Sequence, residues 1–365
     1  MTTSHAVTRL AERPSTTFHG TVPTFAGRPA EERGAGRDAV RLLVARPSGI
    51  EHHAFGDIAD QLDPGDALVV NTSATVAGEI DADLWRPGGP EVQAPAREVV
   101  LHVASPLGED EWVVELRTAP DAARAVLDAT EGDRVRADGF ALTLLGAYPH
   151  HGSPTATGNR LWRARAEGDV RGVLDRAGRP IAYGYLERPW PLSTYQTVFS
   201  TVPGSAEMAS AGRPFTPDLA LRLVAHGVHL APVVLHTGLS SQEAGEPPQP
   251  ERFEVPASTA ELLNHVTRAR GRVVAVGTTA TRAVESAVID GRVVPASGWT
   301  ERVITPSDPP AVVGGLVTGW HDDGASHLLL VEAVAGARLA QRAYDAALRE
   351  GYAWHEFGDS ALFLP

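Results

Sequence analysis

The 365-residue chain carries 45 acidic against 32 basic side chains, a formal net charge of −13, and 43% of its residues are hydrophobic. Every basic residue is arginine and there is no cysteine, which excludes lysine Schiff bases, a Walker-type phosphate loop, disulfides, thiol nucleophiles and iron–sulfur clusters. The acidic balance argues against a nucleic acid held by bulk electrostatics, because neutralising phosphates requires a basic face.

The length fits two domains better than one. No apolar run approaches the roughly 20 residues of a membrane span, and the first residues lack the apolar core of a signal peptide, so a cytoplasmic protein is expected. Residues 1–37 are rich in Thr, Pro, Gly and Arg without periodicity and read as a loosely structured N-terminal arm. The first convincing elements are 40–45 and 53–62. Asp63-Pro64-Gly65-Asp66 then turns the chain into an apolar strand, 67–70, ending at Asn71.

Short alternating runs follow at 98–104, 111–117, 140–148 and 159–166, separated by turn clusters, which suggests a small β-barrel inserted over residues 80–168. Beyond Gly178 the pattern becomes α/β. Thr216-Pro217-Asp218 supplies an N-cap and a first-turn proline for a helix stopping at Gly227, and a strand, 228–235, follows. Ser258 and Glu261 have capping-box spacing for a helix reaching Arg270, and Gly271 precedes a buried strand, 273–276. Gly277 turns into a helix over 280–288. Helices 326–335 and 339–349 and a strand near 361–364 close the chain. The expected fold class is α/β: a parallel-sheet domain built from both ends of the chain, residues 38–79 and 169–365, interrupted by the barrel.

Four segments could carry chemistry. Gly277-Thr278-Thr279 presents hydroxyls and free amides at a helix N-terminus, which favours anions, although ordinary capping with an Arg282–Glu285 pair explains it equally well. Gly319-Trp320-His321-Asp322-Asp323 offers a base or metal ligands with His327 nearby, or simply a polar turn with Ser326 as a cap. Leu235-His236-Thr237-Gly238 sits where a parallel sheet faces its ligands. Tyr183, Tyr185, Trp190, Tyr195 and Phe199 could stack a purine or pack a core. The pairs His52-His53 and His150-His151 lie in loop-like stretches and read as bland.

Five runs in fixed order resemble the S-adenosylmethionine:tRNA ribosyltransferase-isomerase family of queuosine biosynthesis. They are 62–72 (LDPGDALVVNT), 195–205 (YQTVFSTVPGS), 273–285 (VVAVGTTATRAVE), 316–336 (LVTGWHDDGASHLLLVEAVAG) and 344–361 (YDAALREGYAWHEFGDSA). The resemblance implies an α/β domain with a β-barrel insertion and a reaction that uses the ribosyl portion of S-adenosylmethionine. A base removes a C5′ hydrogen acidified by the sulfonium and adenine leaves. Attack by an acceptor amine and ring rearrangement then give an epoxycyclopentanediol, with methionine released. S-adenosylmethionine is a substrate in this scheme, and no metal or redox cofactor is called for. Carried onto the matching positions, it implies catalytic roles for His236, His321 and Asp359. It implies substrate contacts for Asn71, Tyr195, Gln196, Thr278, Thr279, Arg282, Glu285 and Ser326.

Three segments depart from the family pattern. Ala211-Gly212-Arg213-Pro214-Phe215 lacks a histidine, His236 to Gln242 replaces a glycine-rich run, and Gly319-Trp320-His321-Asp322-Asp323 replaces Asn-Phe-His-Leu-Pro. These losses and the charge of −13 set two alternatives beside transfer to 7-aminomethyl-7-deazaguanine in tRNA. One is ribosyl transfer to a small acceptor or simple donor cleavage, and the other is a non-catalytic binding module.

Overall fold

The computed structural model describes residues 10–18, 23–86, 97–149, 157–239 and 245–365. His150-His151 and residues 240–242 lie outside them. A nine-stranded sheet forms the body. In chain order its strands are β2 (Arg41–Arg46), β3 (Gly49–Ala54), β4 (Ala67–Asn71), β13 (His229–Leu235), β14 (Glu251–Val255), β15 (Val273–Val276), β18 (Ala296–Thr300), β19 (Gly315–Thr318) and β21 (Ser360–Phe363). They are ordered β18-β14-β13-β4-β15-β19-β21-β2-β3. The centre, β13-β4-β15-β19, is parallel; β14 and β21 flank it antiparallel, β2 pairs parallel with β21, and β18 and β3 are antiparallel to their neighbours at the edges.

Both faces of the sheet are covered, so the central strands read as continuous apolar runs. β4, β15, β19 and β21 are buried at every residue. One face packs α3 (Ala257–Arg268), α4 (Thr278–Glu285), α5 (Ser326–Ala335) and α6 (Ala337–Arg349). The other packs a 3₁₀ segment, Phe55–Gln61, and α2 (Pro217–His226). α2 is capped as its sequence predicts: Thr216 Oγ1 accepts from the Leu219 amide at 3.2 Å, and Gly227 closes the helix at φ 95°.

The inserted barrel is closed in the order β10-β11-β8-β7-β6-β9. It comprises β6 (Glu79–Trp85), β7 (Arg97–Pro106), β8 (Glu111–Thr118), β9 (Arg134–Ala137), β10 (Phe140–Ala147) and β11 (Leu161–Gly168). The alternation in the sequence does not mark β6 or β9. β9 is four residues long, and β6 begins at the expected domain boundary. Helix α1 (Val170–Ala177) follows, and its Val170, Val173 and Leu174 pack into the barrel core. The chain enters and leaves side by side: Glu79 and Arg179 exchange backbone hydrogen bonds of 2.9 Å each way.

Smaller strands complete the chain: β1 (Thr24–Phe25) pairs with β20 (Ala353–Trp354), β5 (Ser73–Thr75) with β12 (Val202–Ser205), and β16 (Val288–Ile289) with β17 (Arg292–Val293).

Several local expectations are corrected. The described parts of the arm are built into the body. Ala26 and Ala30 are buried, and the Thr16 amide donates to the buried Glu332 carboxylate. His52 and His53 lie on β3, where His52 Nδ1 is 2.8 Å from the Tyr352 hydroxyl. Ser258 is no cap, since α3 starts after Pro256 with no side-chain capping bond, and it stops at Arg268. Arg270 takes the left-handed turn at φ 65°, because Gly271 is needed for close approach. A Cβ there would stand 2.3 Å from the Gly65 carbonyl oxygen. Helix α4 starts two residues earlier and ends three residues earlier than expected. Ser326 begins α5 without a capping bond.

Candidate functional site

The parallel strands β4, β13, β15 and β19 end along one edge, where open α/β sheets bind ligands. A cavity of about 210 Å³ opens there. Its floor comes from the strand ends: Thr237 and Gly238 after β13, Gly277 to Thr279 after β15, and Thr318 to His321 after β19. Ser326 and His327 from the start of α5 line one side, and Glu207, His355 and Glu356 from loops line another.

Gly277 is at φ 93°, a conformation L side chains avoid, and it lets β15 turn at once into α4. The Thr278 and Thr279 ends of that helix therefore face the cavity with the positive pole of the helix dipole behind them. Asn71 does not line the cavity. It pins the strand ends, donating to Leu235 O at 2.8 Å and Thr279 Oγ1 at 3.3 Å and accepting from the Leu235 and Ser73 amides at 3.0 Å each.

His321 is fixed by three contacts. Its Nε2 is 3.0 Å from Thr318 Oγ1, its amide donates to the Tyr344 hydroxyl at 3.3 Å, and its ring stacks on His327 at 4.7 Å. The neighbouring Trp320 is buried edge-on to Tyr344 and Tyr352, which anchors the loop. Burial, then His327 and His355, hold the His321 pKa well below the usual value. Burial and Arg282 bring His327 down to about 4. Both rings are neutral at neutral pH, so they have a lone pair to accept a proton or can donate an N–H without carrying charge.

His236 stands behind the floor. Its Nδ1 is 2.7 Å from Ser73 Oγ, which is 2.6 Å from Ser205 Oγ. Burial and then Arg252 lower its pKa. Arg282 lines the cavity, but its guanidinium is spent on structure: Glu251, Gln249 O at 2.9 Å and Arg302 O at 3.0 Å. Burial pushes the Glu251 carboxyl up even against this partner.

Like Asn71 and His236, four further expected site residues do not line the cavity. Asp359 accepts from the Arg41 amide and guanidinium and from the Ala353 amide, closing the β2 and β21 ends. Glu285 accepts from the amides of Ala311, Val312 and Val313 and makes no pair with Arg282. Gln196 brackets Thr75 through both its amide atoms, and Tyr195 packs on Phe357 at 5.5 Å. These are placed to hold loops, because each spends its polar atoms or ring on protein partners. Of the aromatic segment, Trp190 lies under Arg188 and Phe199 packs on Phe215, which makes them scaffold.

Sequence reasoning missed Glu207, His355 and Glu356. The last two form a polar pair, Trp354-His355-Glu356-Phe357, inside an otherwise aromatic stretch. His355 sits at φ 69°, a strained backbone for a histidine, and is stacked on Tyr185 at 4.4 Å. Among the described residues no group of three or more His, Asp or Glu is arranged to hold a metal ion. No described helix is long and apolar enough to cross a membrane.

The chain matches the queuosine biosynthesis protein family over residues 17–363. It is 35% identical to the S-adenosylmethionine:tRNA ribosyltransferase-isomerase of Symbiobacterium thermophilum, covering 90% of this chain and 94% of that one. It is 33% identical to the protein of the same name from Pelotomaculum thermopropionicum, covering 92% and 96%. The crystal structure of S-adenosylmethionine tRNA ribosyltransferase from Thermotoga maritima aligns with a TM-score of 0.50 at 25% identity, covering 94% of this chain and 99% of that one.

Proposed function

This chain belongs to the queuosine biosynthesis protein family, and from that premise we propose that its cavity is where S-adenosylmethionine gives up its ribosyl group. The protein is an S-adenosylmethionine:tRNA ribosyltransferase-isomerase, transferring to 7-aminomethyl-7-deazaguanine in tRNA to form epoxyqueuosine and releasing adenine and methionine. One observation carries the assignment of the site. Two stacked neutral histidines, His321 and His327, line the same cavity as the Thr278-Thr279 helix end.

The residues suit the chemistry. Neutral His321 accepts the C5′ proton, because the sulfonium beside it stabilises the carbon left behind. The helix end with Thr278, Thr279 and Ser326 receives anionic or hydroxyl groups of the substrate, and Glu207 offsets its positive charge. His236, through Ser73 and Ser205, positions the loop that carries Thr237. tRNA is the acceptor partner in this reading, bound through local arginines and not through net charge. We also draw the inserted unit as running from Glu79 through α1 to Arg179, supported by the α1 side chains in the barrel core.

The test is adenine release from S-adenosylmethionine, followed by chromatography with and without tRNA bearing the precursor base. Release that requires the tRNA, with the modified base formed, is expected. Release without nucleic acid points to a small acceptor or donor cleavage, and no release under any condition sinks the catalytic reading.

A further inference from the structure

The cavity wall opposite α5 contains a carboxyl that the scheme above does not use. Glu356 lines the cavity directly after the strained His355, and it accepts a hydrogen bond from the Tyr185 hydroxyl. Tyr185 lies between two rings, with His355 on it at 4.4 Å and Tyr183 at 6.4 Å, and the Tyr183 hydroxyl in turn donates to Glu207. Glu207 and Glu356 line the cavity, and each accepts a hydrogen bond from a tyrosine of one stacked pair. The charged or titratable groups facing Glu356 are Tyr185 and Tyr183 from the aromatic segment, Glu207 from the loop after β12, Tyr195, and His355 beside it. Among the described residues no arginine is paired with Glu356, in contrast to Glu251, which pairs with Arg282.

Glu207 and Glu356 line one cavity, and two carboxyls there disfavour a second negative charge. The departing purine needs a proton, since adenine without one is a poor leaving group.

We propose that Glu356 is the proton donor to the departing adenine. This rests on the ribosyl-transfer reading above. As the bond from C1′ to adenine breaks, its electron pair leaves with the purine. The Glu356 carboxyl O–H gives its proton to a purine nitrogen and becomes a carboxylate, which the Tyr185 hydroxyl hydrogen bonds. His321 meanwhile holds the proton taken from C5′, so one proton enters the protein, one leaves it, and the total charge of the cavity is unchanged. The electrostatics agree with this division: burial pushes the Glu356 carboxyl up to about 7, with Glu207 adding to the rise and the Tyr185 hydroxyl opposing it.

The experiment uses the full chain, S-adenosylmethionine and precursor tRNA, and measures the rate of adenine release from pH 5.5 to 9. An acid that must be protonated gives a rate that falls as pH rises through its pKa. In Glu356→Gln we expect the rate to fall by about 100-fold or more, the KM for S-adenosylmethionine to change little, and the fall at high pH to disappear. Tyr185→Phe removes the hydroxyl that favours the carboxylate, so its fall should move to higher pH. A Glu356→Gln protein with the wild-type rate and pH profile overturns the assignment while leaving ribosyl transfer intact. If that variant does not fold, an unmoved profile in Tyr185→Phe overturns it instead. Wild-type protein that releases no adenine under any condition overturns both readings at once.

Discussion

His321 and Asp359 were both expected to be catalytic from the resemblance, and their surroundings separate them. His321 ends on the cavity with one hydroxyl partner, whereas Asp359 is buried and accepts from two backbone amides and the Arg41 guanidinium. Removing the first leaves the fold satisfied and the chemistry without a base. Removing the second leaves buried donors unpaired, which costs about 1–3 kcal/mol. His321→Ala is therefore expected to lower the rate of adenine release by about 10²–10⁴-fold at unchanged thermal stability. Asp359→Ala is expected to lower the melting temperature while keeping most of the rate at low temperature. Calorimetry and the release assay on the same samples check the pair, and a stable but inactive Asp359→Ala would return that residue to the site. The motif could not tell these roles apart, because an aspartate after a glycine looks the same whether it meets substrate or backbone.

Among the elements, those with a strong local period were legible in the sequence. The cap and stop of α2, the turn at Gly277 and four of the six barrel strands follow from residue type and spacing. The elements that were missed depend on neighbours. β9 is held by β6 and β10 on either side, and β14 and β18 pair with each other at the sheet edge. The cavity was legible only in part for the same reason: the Thr278-Thr279 and His321 segments lie at strand ends, but Glu207 and Glu356 reach it from loops through tertiary packing. Asn71 joins these levels, because its single amide completes the β4 to β13 ladder and touches Thr279. Asn71→Ala unpairs the buried Leu235 and Ser73 amides, so a loss of about 2–3 kcal/mol is expected in denaturant unfolding. A raised KM for S-adenosylmethionine should accompany it as Thr279 loses its support. A variant with unchanged stability would show that water or a neighbour replaces those bonds.

At the scale of the whole molecule, the barrel is tied to the body by a buried ionic network that the apolar pattern gave no sign of. His102 on β7 is fully buried, 2.9 Å from Glu79 and 3.4 Å from Glu115. Glu115 is also met by Arg117 at 2.8 Å and Arg160 at 3.2 Å, and Arg160 reaches Glu246 in the body at 2.6 Å. Glu79 bonds Arg179 at 2.6 Å where the chain returns from the barrel. Burial opposes the charge on His102, but hydrogen bonds and charge from Glu115 and Glu79 overcome it and hold its pKa above the usual 6.5. Burial likewise opposes the Glu115 charge, yet Arg160, His102 and Arg117 bring that carboxyl from 4.5 down to about 2. A histidine whose pKa is raised on folding adds stability in full below pH 6.5 and loses it as pH climbs through the folded value. A carboxyl whose pKa is depressed adds stability in full above pH 4.5 and loses it as pH falls toward 2. Both contributions are complete only between pH 4.5 and 6.5. The wild-type melting temperature should therefore decline as pH rises above that window. In His102→Gln, which keeps a hydrogen-bonding group but cannot take the charge, the alkaline decline should flatten and overall stability should drop. Melting temperatures measured from pH 4 to 9 on both proteins decide it. An equally steep alkaline decline in the variant would show that His102 is not the group joining barrel stability to pH.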